Sequence, residues 1–447
     1  MRIRVLLALA VLPVPTQAQQ PLSLAEAFDR ADRLAYANRM AAAGRQVQAG
    51  QGREAFRGIL PTVRVEAGWI RTTDPLNAFG FTLRQRTVTP AAFDPARLND
   101  PAPTGNLASA LVLEQPLVNL DAWAGRGAAR SAEQAAAASE RWTVTATRLD
   151  VVRAWFGGVL ARERVATLEA ALRAAQSHVK QASALLDQGM VIRSDLLLAQ
   201  VKAGELEADL AAARGDSALA VHRLALVLGS PGDTTLALPA RLPEAEVLES
   251  VLAQRAAIDA GQERDDVRAA RLGEDAARGD VRRTRAALLP RLNGFARYDW
   301  NTPDAVFGGQ KAWTIGVMAS WAPFSGGSEL AAVQAARGRA AMAEAGAEAV
   351  RARAALEAAE RDNALAVART RLGIAGRAVA QAEEAHRLVS RSYAGGLATV
   401  TDLLGAAAAE TASRLGRSAA VYQLIVAAAE RQQAHGGTLD FLTALGR

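Results

Sequence analysis

The chain has 447 residues, a formal net charge of +6 and no cysteine. Aromatic residues make up only 5% and alanine fills long stretches, a composition poor for an ordinary enzyme core and suited to long, closely packed helices. The mild charge, scattered along helix-like segments, does not indicate a nucleic-acid partner, and without disulfides an exported chain must be held by packing or oligomerisation.

Residues 1–18 are expected to be a cleaved secretory signal. Arg2 and Arg4 form the basic region, Val5 to Val14 a short apolar stretch, and Thr16-Gln17-Ala18 the small-residue end. Removing two arginines leaves 50 basic side chains (52 minus 2) against 46 acidic ones. With no cysteine to accept a lipid, a lipoprotein is excluded. No later segment has the roughly 20 apolar residues of a membrane helix, so any membrane residence must be through strands.

A first unit is expected over 19–229. A helix from about Ser23 to Gly58 opens with a capping box, Ser23 and Glu26. Leu60-Pro61 ends it, and strands are expected at about 62–71 and 106–115. In the first strand Val63, Val65, Ala67 and Trp69 alternate with Arg64 and Glu66. Five prolines between Asp74 and Thr104 predict an irregular loop. Pro116 is expected to close the second strand. Leu149, Val152, Phe156 and Val159 then step by three and four, predicting a helical hairpin over about 121–228 with its tip at 188–194. A linker is expected at 230–243.

A second unit over 244–435 repeats this order: a helix from about Glu244 to Leu288, strands at about 291–301 and 312–322, and a hairpin over about 328–432 with its tip at 395–401. A short tail, 436–447, follows. The duplication is visible as offsets. Pro116 to Pro323, Gly189 to Gly396 and Asp195 to Asp402 are each 207 apart. Leu60-Pro61 to Leu289-Pro290 is 229, so the first copy carries 22 extra residues (229 minus 207). The period is too long for a solenoid, whose repeats run roughly 20 to 50 residues.

Four strands of about ten residues have the length that crosses a bilayer. Trp69, Tyr298, Trp300, Trp313 and Trp321 lie near strand ends, where an aromatic girdle meets headgroups. Four strands cannot close, and an open edge in lipid leaves backbone groups unpaired. Three chains give twelve. The predicted fold class is therefore an α+β membrane protein: a trimeric 12-stranded barrel, four strands per protomer, continuing into a long helical tube.

These residues resemble a known family, the TolC-like outer-membrane efflux proteins of tripartite efflux and type I secretion systems. The marks are Leu22 to Ala27, the two Leu-Pro pairs, Gln115-Pro116-Leu117 against Ala322 to Gly327, and Gly-(five residues)-Asp-Leu-Leu in both halves. The resemblance covers nearly all of the chain after 18. It implies a homotrimer in the outer membrane of a Gram-negative bacterium with a large periplasmic part, embedded in outer-membrane lipid. It implies a passive channel, not an enzyme, with no cofactor. Its partners would be a periplasmic membrane-fusion (adaptor) protein and, indirectly or at the tips, an inner-membrane transporter of RND or ABC type.

The resemblance also implies roles for residues. Gly189, Met190, Gly396 and Leu397 are the expected adaptor-docking tips. Asp195, Tyr393 and Asp402 are the expected periplasmic gate, with Asp195 as the partner of Tyr393. The family arginine would fall at Ala398 and a second acidic position at Gly405, so the shut state is expected to be looser or held by Arg193. Pro116, Pro323, Gly326 and Gly327 are the expected strand-to-helix turns. The four histidines, His178, His222, His386 and His435, have no metal-ligand spacing. Two other classes were weighed. A soluble periplasmic scaffold conflicts with the Trp313 to Trp321 alternation. An exported enzyme on a barrel would need clustered catalytic groups, and none is seen.

Overall fold

The computed structural model describes residues 21–255 and 263–446. The expected signal peptide, 1–18, lies outside the described residues, as does part of the expected 244–288 helix. The elements in chain order are α1 (Leu24–Leu34), α2 (Tyr36–Glu54), β1 (Thr62–Thr72), α3 (Pro75–Arg84), α4 (Pro95–Asn99), β2 (Thr104–Val118), α5 (Leu120–Asp187), α6 (Arg193–Val227), α7 (Ala245–Arg255), α8 (Asp265–Ala286), β3 (Arg291–Thr302), β4 (Gln310–Ser320), α9 (Ser328–Ala394) and α10 (Val400–Ala434). Single 3₁₀ turns lie at Ala55–Gly58, Pro90–Phe93 and Asp440–Ala444. At 1.5 Å per residue, the 68-residue α5 and 67-residue α9 are each about 100 Å long. Among the described residues no helix is long and apolar enough to cross a membrane.

The described residues divide into two compact units, one within Met1–Met40, Thr143–Arg264 and Ala355–Arg447, the other within Ala41–Trp142 and Asp265–Ala354. The first has a large apolar core. Trp155 and Phe156 on α5, Leu24 and Phe28 on α1, Leu224 on α6, and Leu424 and Ile425 on α10 are all within 2% of full burial. The linker after α6 and the last turn of the chain pack here too, through Leu238, Leu439 and Leu442. The Leu22 amide donates to the Ala237 carbonyl (2.8 Å) and the Trp155 indole to the Leu22 carbonyl (3.0 Å), which fixes the start of the described chain to this core. Arg148 ties Asp32 (2.6 Å) to Asp440 (2.9 Å), and Glu430 is shared by Arg153 and Arg361, 2.6 Å from each.

The second unit holds one antiparallel sheet in the order β1-β2-β3-β4. Register puts Val65, Leu111, Tyr298 and Trp313 in one row, and Glu66, Ala110, Asp299 and Ala312 in the next. Opposed residues share a face and successive residues alternate. One face therefore carries Val63, Val65, Trp69, Leu111, Leu113, Trp313, Ile315 and Val317, all exposed. The other carries a polar ladder. Arg64 pairs with Glu114, and Arg297 bonds Asp299 (2.8 Å) and reaches Glu66 (3.0 Å). Ala110 lies buried between β1 and β3, small enough for that bridge to pass. Asn106 donates to Asn301 (3.0 Å).

Three local expectations are corrected. The helix expected from 23 to 58 is broken at Ala35, whose ψ is 133°. Gly229, at φ +75°, sits against this break. A Cβ there would lie 2.1 Å from the Leu34 carbonyl oxygen, so the close approach needs glycine. The Ala31 carbonyl accepts from the Ala35 amide (3.0 Å) and also from the Asn38 side chain (3.1 Å). The Asp74–Thr104 segment is not irregular. Pro75 and Pro95 start helices, with Asp74 and Asp94 as N-caps, because proline at the first helical position loses no hydrogen bond. Pro116 does not close its strand. It is paired with Asn293 inside β2, beside a bulge between Pro116 and Val118 where no ladder donor is required.

Candidate functional site

The tips are built by the same backbone device. Gly189 and Gly396 both have φ +72°, in the left-handed region, with open space around them. The Gly189 amide donates to the Leu186 carbonyl (2.9 Å) and the Met190 amide to Leu185 (2.9 Å). In the second tip the Gly396 amide donates to Tyr393 (3.0 Å) and the Leu397 amide to Ser392 (2.8 Å). Each is a Schellman motif, which ends a helix by satisfying its last carbonyls. In such a motif the apolar residue after the glycine usually folds back on its own helix. Here Met190 stays 62% exposed and Leu397 87% exposed. The motif leaves their side chains outward.

Of the expected gate residues, Tyr393 lies in a cluster with Ala182, Ala199, Val400, Leu403 and Leu404, while Asp195 is half-buried and Asp402 exposed. Tyr393 is 3% exposed and its hydroxyl, buried, has no hydrogen-bond partner. The expected bond from Tyr393 to Asp195 is therefore absent within the protomer. Burial, and then the charge of Asp195, hold the phenol above its usual value. Asp195 instead accepts from the Ile192 amide (3.4 Å). Asp402 is fully engaged at its own helix start. Its carboxylate accepts from the Thr399 amide (3.0 Å) and hydroxyl (2.7 Å), while the Asp402 amide donates to the Thr399 hydroxyl (3.1 Å). Those bonds hold its carboxyl below the usual carboxylate range. Ala398 packs on the cluster.

On the sheet, Trp313 and Trp321 are eight residues apart, about 26 Å at strand rise, with Ile315, Val317 and Ala319 between them on one face. That is about the 25 Å height of an outer-membrane apolar band. Trp321 donates its indole N–H to the Leu288 carbonyl (3.0 Å). Trp69 lies in the row of Leu107 and Thr302 at the opposite end. Tyr298 and Trp300 stack edge to face (4.7 Å), and Trp300 meets Phe307 (5.3 Å). Sequence reading missed Trp123, Leu120 and Phe324, all exposed beside the Trp321 end of the sheet's connections. The signal was present: each is a large apolar residue within a few positions of a strand end. Pro323, Gly326 and Gly327 occupy the β4–α9 turn, the two glycines at φ +66° and +82°. Among the described residues no three His, Asp or Glu side chains converge as metal ligands.

Residues 257–437 match the family model described as outer membrane efflux protein. That match covers most of the second repeat. The resemblance drawn from the duplicated motifs therefore holds. Comparison with curated protein sequences finds no match. Among solved structures, the outer membrane protein VceC of Vibrio cholerae superposes with a TM-score of 0.76 at 20% identity, covering 93% of this chain and 96% of that one. The CmeC outer membrane channel of Campylobacter jejuni gives 0.75 at 17% identity, covering 93% and 85%. The open state of the MtrE outer membrane channel of Neisseria gonorrhoeae gives 0.72 at 19% identity, covering 94% and 90%. At these identities the likeness establishes the fold, which spans both repeats.

Proposed function

We propose that the chain is the outer-membrane exit duct of a tripartite efflux or type I secretion system, conducting cargo passively from an inner-membrane pump and periplasmic adaptor to the exterior. The observation that carries this reading is the two-faced sheet. One face is apolar and exposed over about one membrane thickness, and the other is lined by Arg64, Glu66, Glu114, Arg297 and Asp299. A soluble protein would cover the first face, and a lipid-embedded strand needs it bare.

The same sheet supports a trimer. Within one protomer β1 and β4 each have an unpaired edge, and an unpaired backbone group in hydrocarbon costs several kcal/mol. Pairing β4 of one copy with β1 of the next, three times, closes twelve strands. The long helices would then line a periplasmic tube. Domain limits follow the duplication: 19–229, 230–243, 244–435 and 436–447, after a signal at 1–18.

The tips are the docking and gating end in this reading. Met190 and Leu397 offer apolar contact to a periplasmic adaptor, and their glycines keep the backbone accessible. Tyr393, Asp195 and Asp402 belong to the closing end, and one Asp402 per protomer forms an acidic ring that favours cations. If Asp402→Asn left single-channel ion selectivity unchanged, the ring would have to be abandoned. Opening would be a shift between two hairpin packings biased by the docked partner.

The test is in-cell photo-crosslinking from positions 190 and 397, with the captured protein identified by mass. Capture of a periplasmic adaptor supports tip docking and names the pump system. Capture of nothing, from a folded outer-membrane trimer, removes the tips from docking.

A further inference from the structure

Residues of α5, α6 and α10, with His386 of α9, line a half-open cavity of about 350 Å³. Its walls are mostly alanine and leucine, but two histidines meet in it. His178 of α5 and His386 of α9 pack edge to face, with ring centroids 5.7 Å apart and planes at 73°. His386 Nδ1 lies 2.5 Å from a Glu410 carboxylate oxygen of α10. The Nε2 atoms of both rings are buried without a hydrogen-bond partner. Leaving two polar nitrogens unbonded weakens the packing rather than stabilising it, so a role beyond filling space is indicated.

We propose that the His178–His386 contact is a proton-operated catch between α5 and α9, closed while the imidazoles are neutral and forced apart when acid makes both cationic. The consequence for gating rests on the duct reading above; the catch itself does not.

The charged groups around the pair are mostly engaged with one another. On α6, Lys202 is bound to Glu205 (2.7 Å), and Asp209 lies further along the cavity wall. Arg414 of α10 bonds Glu410 (2.7 Å) and Glu383 of α9 (2.9 Å). Arg387 is turned to Glu384. Glu410 is held between Arg414 and His386. A proton at His178 faces the His386 ring across the contact, and its buried Nε2 bonds no carboxylate. Burial, and then the charge of His386, hold the His178 imidazole below its ordinary range. A base whose value is lowered in the packed form favours that packing at high pH. The contact is fully favoured above about pH 6.5, the ordinary histidine value, and is lost as pH falls through the lowered one. His178 stands nine residues before the end of α5 and His386 eight before the end of α9, about 12 to 14 Å along each helix. Separation there acts directly on the tip cluster.

The chain has no native cysteine, so introduced cysteines at the exposed positions Arg173 and Gln381 accept spin labels cleanly. The distance between them is measured on the full-length protein in detergent from about pH 7.5 down to about pH 4.5, spanning the ordinary histidine value and the range below it. The parent is expected to lengthen by several ångströms on acidification. His178→Gln and His386→Gln are expected to keep the neutral distance throughout, and His178→Lys, which supplies one fixed charge, to lengthen at a higher pH than the parent. An unchanged parent, or the same shift in all variants, overturns the catch. Circular dichroism and mass at the higher pH establish that each variant folds; should a glutamine variant fail to, the lysine variant decides. Bilayer conductance is recorded separately: its absence removes the duct reading and leaves the distance result standing.

Discussion

The two hairpin tips share a backbone and differ in how their returning helices begin. Both turn on a glycine at φ +72° with matched hydrogen bonds. The second tip then starts α10 with Thr399, whose hydroxyl and amide close a complete capping box with Asp402. The first starts α6 with Ile192, which has no side-chain acceptor, and only the longer 3.4 Å bond from Asp195 remains. The duplication preserved the fold of the turn and let its reinforcement diverge. A capped helix start is worth about 1 kcal/mol over an uncapped one, so the first hairpin is the looser end.

That difference can be broken or sharpened by mutation. The largest effect is expected on transport. Leu397→Asp should abolish efflux-dependent resistance more completely than Met190→Asp, because Leu397 is the more exposed anchor; equal losses would mean that exposure does not rank the contacts. Next is Tyr393, which occupies the repeat position of Leu186. Tyr393→Ala should destabilise its tip by about 3 to 5 kcal/mol by cavity formation, against about 2 for Leu186→Ala, read from hydrogen exchange of tip amides. Tyr393→Phe should cost nothing, since the hydroxyl it removes is unbonded. Smaller still, Thr399→Ala should cost about 1 kcal/mol and Ile192→Thr should gain up to as much, bringing the tips to parity. The smallest effect concerns pH. The Thr399 bonds lower the Asp402 value, so its cap is fully formed above the ordinary carboxylate value of about 4 and weakens as pH falls through the lowered one. Protection factors at the second tip, corrected for the intrinsic exchange rate, should fall in acid accordingly, and acid-independent protection would contradict the cap.

Much of this architecture was legible because duplication and period are written in residue types. Trp313 to Trp321 alternates cleanly enough to read β4 and its apolar face directly, and the repeated Gly-(five)-Asp spacing marks both turns. What escaped reading depended on contacts distant in sequence or on proline's dual character. Nothing local marks the break at Ala35, which is imposed by Gly229 nearly two hundred residues later. Pro75 and Pro95 look like breakers unless the preceding aspartates are recognised as N-caps. Pro116 reads as a stop unless a bulge is foreseen. At the gate, the sequence offered Tyr393 and Asp195 as partners, but Asp195 is drawn to its own helix start and Tyr393 into an apolar cluster.

The most direct test of the central claim uses the sheet edges. Cysteines are introduced at Val65 of β1 and Ile315 of β4 in a chain that otherwise has none. Within one protomer those strands are separated by two others, about 14 Å at normal strand spacing, too far for a disulfide. A short bis-maleimide applied to isolated outer membranes should yield a covalent ladder that stops at three chains. A product that stays monomeric, or a ladder that continues past three, would contradict a closed trimeric barrel.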